Sequence, residues 1–286
     1  MSNPKKTVAA EGKRWYTIKN KTVALWAERG IMPRFFVRQD AICEKEILLR
    51  GEDAHHIARS LRMAVGDFVT VCDMRGNEYD CRITSFLEDW EVRVEILRVG
   101  HAKTEPPCRI LLFQALPKGD KLETVIQKAV ECGVCEIVPF ESERCVARMK
   151  PEAEEKKTDR RQRIATEAAK QCGRSALPTV CRTVRFEEML ERAAACDLGL
   201  FCYEGDGTVS LGTVLRAERE RLCSSAGTAP TVAVIIGSEG GFSVSEATRA
   251  RERGLLAVGL GKRILRTETA SGFVLACLSL VTELDG

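Results

Sequence analysis

The chain lacks any apolar run approaching the roughly 20 residues that span a bilayer, so no membrane span is expected. It is poor in histidine, with three in 286 residues, and two of those are the neighbours His55 and His56. So few partners argue against a metal site and for histidines on a helix face or at a core edge. It also carries little net charge, +3 overall. Seven Lys or Arg against two Glu in residues 1–30 make that segment +5, which leaves −2 for the rest. The body is not a basic protein, and nucleic-acid binding would have to rest on a local patch. Phosphate signatures are missing too. No GxGxxG follows a strand, and although Lys262 follows Gly261, Leu256 stands where the first glycine of a P-loop belongs and Arg263 where Ser or Thr is required. A nucleoside triphosphate site is therefore not expected.

Cysteine is abundant, with 13 residues, but the number is odd, the spacing irregular, and no signal peptide precedes them. That pattern fits a reducing cytoplasm. The lone "CGVC" of Cys132 and Cys135 follows a helix pattern where a redox pair would begin one, and reads as chance placement. Hydrophobic residues at 44% and charged residues at 30% are ordinary for a globular protein, and the length suits two domains.

Residues 1–30 read as a flexible basic extension, with Met32 as a candidate natural start. Residues 31–100 show short patterns: a helix over "EDAHHIARSLRM" with Ala54, Ile57, Ala58 and Leu61 on one face, then a hairpin from "DFVTVCD" through "RGN" to "EYDCRITSF", then a strand in "WEVRVEILRV". "HAKTEPP" is a linker. From residue 108 to 286 buried strands ("RILLFQAL", "CEIVPF", "CDLGLFCYEG", "TVAVIIG", "LLAVGL") alternate with helices, which predicts a largely parallel sheet in an α/β domain. Ligands of such folds bind beyond the C-terminal ends of the strands.

Two glycine loops sit at such ends. In "IIGSEGGFSVSEA" the glycines Gly237, Gly240 and Gly241 let backbone approach a ligand, and Ser243 with Glu246 forms a capping box that starts a helix. "GLGKRILRTETA" repeats the strand, glycine turn and helix. Without a phosphate signature, the pair suits a ligand held by backbone and apolar walls, such as an adenosine moiety gripped by its base edges. A basic stretch from Glu143 to Arg185, with twelve Lys or Arg against six acidic residues, is either an RNA-facing patch or a solvated helix face with ion pairs.

These two loops, together with "HHIARSLRMAVGD", "LPKGDKLETVIQKAVECGV", "ESERC" and "EAAKQCGRSALP", resemble the RsmE family of 16S ribosomal RNA uridine N3-methyltransferases from about Met32 to the C-terminus. The resemblance implies a SPOUT-type knotted parallel-sheet methyltransferase domain, with a C-terminal trefoil knot, behind a small PUA-like RNA-binding β-barrel. It also implies a homodimer, S-adenosyl-L-methionine as cofactor, and a uridine of 16S rRNA in the decoding region of the small ribosomal subunit as target. Another rRNA or tRNA position, or a noncatalytic RNA-binding protein of the same fold, is the alternative. On this resemblance Gly237, Gly240, Gly241, Leu260, Gly261, Leu265 and Ala270 line the cofactor. Arg266 is the candidate to stabilise the uracil anion, and Glu239 is either a base or a cap for backbone N–H groups. Arg34, Arg59, Arg62 and Arg174 are the candidate RNA contacts. Ser238 departs from the family's usual proline, which removes a fixed φ from the loop.

Overall fold

A computed structural model describes residues 32–149, 151–224 and 227–284; the basic extension of residues 1–30 lies outside them. The described residues form two sheets over two hydrophobic cores.

The first sheet contains β1 (Arg34–Phe36), β2 (Glu46–Arg50), β3 (Phe68–Cys72), β4 (Asn77–Leu87) and β5 (Glu91–His101) in the order β1-β3-β4-β5-β2. Its strands alternate inward and outward, so Val69, Val71, Cys81, Ile83, Val92 and Val94 meet Phe35, Ile47 and Leu49 inside. The expected hairpin is β3–β4, paired up to Cys72 opposite Glu78. Its turn is held by the buried Asp73, which accepts from the backbone N–H groups of Arg75 (2.8 Å) and Asn77 (3.0 Å). The expected helix begins as α1 (Gly51–His55) and widens into a π turn over His56–Ser60, closed by Leu61 N–H on the His56 carbonyl at 2.9 Å. Ala54 and Ile57 are buried under it as the spacing predicts. The two histidines lie at its edge, His55 against the Trp90 ring and His56 against Phe35.

The second sheet is parallel throughout. It contains β6 (Arg109–Ala115), β7 (Val134–Glu141), β8 (Thr179–Val180), β9 (Val184–Arg185), β10 (Leu198–Cys202), β11 (Val209–Ser210), β12 (Thr231–Ile236) and β13 (Leu256–Gly259). The order is β11-β13-β10-β12-β6-β7-β8, with β9 beside β7. Central strands are nearly continuous apolar runs because both faces are covered, as in "TVAVII" of β12. The covering helices are α2 (Lys121–Glu131), α3 (Pro151–Cys172), α4 (Phe186–Ala194), α5 (Leu211–Leu222), α6 (Val244–Glu252) and α7 (Thr267–Ser279), the last continuing into a π turn over Leu280–Leu284. Helices α4 and α5 were not expected from the sequence, although Phe186, Met189, Leu190 and Ala193 recur at helical spacing and are all buried. Among the described residues no helix is long and apolar enough to cross a membrane.

Within the basic stretch, four side chains are paired: Arg160 with Glu123, Arg161 with Glu154, Lys170 with Asp53, and Arg174 with Glu105. These four are ion-paired, but with carboxylates seven or more residues away rather than one helical turn along, so they do not make a solvated helix face laced with i,i+4 pairs. Burial raises the pKa of the thiols Cys132 and Cys135, the opposite of what a redox pair needs.

Candidate active site at the glycine loops

Three segments far apart in sequence end at one place on the C-terminal edge of the parallel sheet. One residue before its end strand β6 carries the fully buried Gln114. Its Nε2 donates to Thr267 Oγ1 at 2.8 Å, to the Ala115 carbonyl at 3.0 Å and to the Gly237 carbonyl at 3.3 Å. Thr267, the first residue of α7, in turn donates from its hydroxyl to the Gly237 carbonyl at 2.6 Å. Gly237 begins the loop after β12, and Thr267 ends the loop after β13. The two glycine loops therefore converge.

The first loop needs its glycines. Gly241 has φ +62 and donates to the Ser238 carbonyl at 3.0 Å, closing a tight turn. A Cβ on Gly240 would stand 2.9 Å from the Cβ of Arg144 and 3.1 Å from its carbonyl oxygen. Below the loop Phe242 is buried, stacked on Phe140 and close to Phe201 and Phe186. The capping box read from the sequence is present, with Glu246 N–H on Ser243 Oγ and Ser243 N–H on Glu246 Oε2. The second oxygen of that carboxylate, which is 1% exposed as a residue, accepts the backbone N–H of Glu143 at 2.8 Å.

Glu143 and Arg144 belong to "ESERC", the loop after β7. Arg148 holds this loop by donating to the Ser142 and Glu143 carbonyls, and Arg144 Nη1 donates to the Gly240 carbonyl at 3.2 Å. Arg144 is exposed beside the glycine loop. Its motif is visible in the sequence but its role is not, because nothing local marks a contact made across 96 residues.

Of the two uses left open for Glu239, the one seen is the cap. It accepts from Lys121 Nζ at 2.7 Å and from the Lys118 backbone N–H at 3.2 Å. Burial works to raise its pKa, but the Lys121 bond and the backbone N–H groups outweigh that and hold the carboxyl below the usual range. A carboxylate so occupied is a poor proton acceptor. Glu268, in the first turn of α7, faces the same Lys121 ammonium at 4.0 Å.

Arg266 precedes α7 in extended conformation (ψ 153), exposed, and its guanidinium has no hydrogen-bond or ion-pair partner among the described residues. Leu260 and Leu265 pack half-buried against the core, Ala270 is buried, and Gly261 is exposed with φ +106. These residues share the second loop and the start of α7. The candidate RNA contacts divide. Arg59 and Arg62 are exposed, with Arg59 lying 5.4 Å from the centre of the Trp90 ring. Arg34 is largely closed off, donating to Glu78 at 2.5 Å and Cys72 at 3.1 Å. Arg174 is a correction: it is 3% exposed and donates to Glu105 and to the Val130 and Val134 carbonyls, so burial closes it off from a phosphate.

An RNA methyltransferase domain model matches residues 104–279, and an RNA methyltransferase PUA domain model matches residues 49–86. The ribosomal RNA small subunit methyltransferase E of Bacillus subtilis is 32% identical over 88% of this chain and 98% of its own length. The chain belongs to the ribosomal RNA small subunit methyltransferase E family. The family protein of Aquifex aeolicus is likewise 32% identical, over 78% of this chain and 89% of its own. A ribosomal RNA small subunit methyltransferase E from Neisseria gonorrhoeae, solved bound to S-adenosyl methionine, superposes with TM-score 0.73 at 29% identity over 88% of this chain and 98% of that one. A putative methyltransferase from Legionella pneumophila, also solved with that cofactor, gives TM-score 0.72 at 31% identity over 87% and 97%. The family's α/β architecture behind a PUA-like unit is thus the one described above.

Proposed function

We propose that this member of the family uses S-adenosyl-L-methionine to methylate N3 of a uridine in 16S rRNA of the small ribosomal subunit. The observation that carries the reading is the convergence of the two loops on Gln114. The site fits the cofactor. At the loop junction Gln114 Oε1 and Ser238 Oγ are buried without a hydrogen-bond partner among the described residues, a state proteins seldom keep unless another group completes it. Gly237, Gly240, Gly241 and Gly261 offer backbone, and Leu260, Leu265 and Ala270 offer apolar contact, for a ligand gripped by its adenosine end. The bound cofactor supplies an electrophilic sulfonium methyl group.

The chain's own task is to present a nucleophile. Uridine N3 is a weak one while protonated, and the free guanidinium of Arg266 suits the negative charge left on the uracil oxygens once that proton is gone. Arg144, anchored on the Gly240 carbonyl, adds a second cation at the first loop. Arg59 and Arg62 are proposed phosphate contacts. Residues 31–100 would form the RNA-binding domain and residues 108–286 the methyltransferase domain, its C-terminal segment threading a trefoil knot. The exposed apolar side chains Ile264, Phe273, Leu280 and Leu284 suit a homodimer interface. A cytoplasmic location follows from the substrate.

The test is to map modified uridines in rRNA of a deletion strain and of the strain restored with wild type or Arg266→Ala. The reading predicts one uridine whose modification disappears, returns with wild type and does not return with the variant. Loss of modification at a tRNA site instead would redirect the function, and no loss anywhere would refute it.

A further inference from the structure

The motif "EAAKQCGRSALP" takes no part in the glycine loops, yet its residues hold the two units together. Phe35 of β1 points into the first core, while its neighbour Phe36 packs on the second, as alternation along a strand requires. Lys170, near the end of α3, reaches this seam. Its Nζ lies 5.7 Å from the centre of the Phe35 ring and donates to Asp53 Oδ1 of α1 at 2.8 Å, with Glu167 at 3.5 Å. The pair is mostly buried, with side-chain exposures of 18% and 26%. A few residues on, the linker carboxylate Glu105 grips the segment that follows α3. Arg174 donates to it twice, and Ser175 N–H (2.9 Å), Ser175 Oγ (3.1 Å) and Ala176 N–H (3.2 Å) complete the grip. The next linker residue, Pro106, seats against Gly133, where a Cβ would come within 2.4 Å of its Cγ.

Asp53 stands in the first turn of α1, and the same run of helix carries Arg59 in its last turn, with Arg62 just beyond. Lys170 therefore grips, at one end, the helix whose other end offers exposed cations.

We propose that Lys170 is a positioning residue: through Asp53 it fixes the bearing of the Arg59 and Arg62 helix relative to the glycine loops, so that RNA held on the first unit presents its target base to the second. The inference rests on the RNA methyltransferase reading above. Lys170 takes no part in the glycine loops, its partners being Asp53, Glu167 and Phe35, and the Glu105 and Arg174 grip keeps the linker from absorbing any rotation at the seam.

The test uses the full chain and the variants Lys170→Ala, Lys170→Arg, Asp53→Ala and the double alanine. Labels introduced through unnatural amino acids at exposed Glu44 and Lys157 report the distance between units by electron–electron resonance. Lys170→Ala should broaden the distance distribution and raise KM for small-subunit rRNA about tenfold, since RNA that engages both units must then bear the entropic cost of fixing their bearing. Its kcat and its affinity for S-adenosylmethionine should change by less than about twofold. Lys170→Arg should stay near wild type, and the double variant should be no worse than either single one, as expected when both remove the same contact. An unchanged KM in the folded variant overturns the proposal, whether or not the distribution broadens. So does a parallel fall of kcat, cofactor affinity and Tm, which is the mark of a merely structural lysine. Should Lys170→Ala fail to fold, Asp53→Asn decides by the same criteria. If wild type methylates no rRNA, the functional reading falls, while the distance distribution still judges the joint.

Discussion

At the C-terminal edge of the parallel sheet Arg266 stands exposed before α7 with no side-chain partner among the described residues, whereas Arg174, beyond the end of α3, is 3% exposed and donates to one carboxylate and two backbone carbonyls. The same side chain serves opposite ends. A guanidinium left in water at a loop edge costs the fold little and keeps all its donors for a ligand. One buried in a complete network is part of the fold, and removing it strands its partners.

The sharpest way to break this comparison is to delete each arginine in turn. Arg174→Ala should lower stability by about 3–5 kcal/mol, because Glu105 loses the countercharge of that guanidinium and the Val130 and Val134 carbonyls lose its donors; denaturant unfolding measures it, and a loss under about 1 kcal/mol would mean that the network is ornamental. Arg266→Ala should leave Tm unchanged and cut kcat/KM by about a hundredfold to a thousandfold, read in single-turnover methylation. Next comes Gly240→Ala, whose Cβ meets Arg144: a cost of about 1–3 kcal/mol is expected, together with weaker cofactor binding by calorimetry.

The smallest effect concerns pH. Burial would raise the pKa of Glu105, but the Arg174 bonds and the backbone N–H groups of Ser175 and Ala176 outweigh it and depress the folded value. The stability this carboxylate confers is therefore complete above its unfolded pKa, about 4.3, and is lost as pH falls through the lower folded value. Glu105→Gln should flatten the acid limb of the stability curve. No corresponding change is expected from Arg266→Ala, and observing one would blur the distinction between the two arginines.

Much of the fold could be read because it is written locally. The alternation in β3 and β4, the apolar runs of β6 and β12, the capping box at Ser243 and the glycines of the first loop all depend on neighbours a few residues away. The site was legible as two loops but not as one place, since Gln114, Gly237 and Thr267 meet across 123 and 153 residues. Arg174 was misplaced for a related reason. Charge is visible in a sequence, but burial by a carboxylate 69 residues earlier is not. Helix α4 is different: the helical spacing of Phe186, Met189, Leu190 and Ala193 is local and present in the sequence.

Strand β12 lies between β10 and β6, both of which are made before it. While the chain is being synthesised, the facing edges of those two strands have no neighbour, and an unpaired edge invites pairing with other chains. The centre of the sheet closes only when the "TVAVII" segment has left the ribosome. A truncated product ending before Thr231 would therefore be a hazard to the cell rather than a weakened enzyme, so rapid clearance of such fragments should matter more for this protein than for one whose sheet grows outward from its first strand.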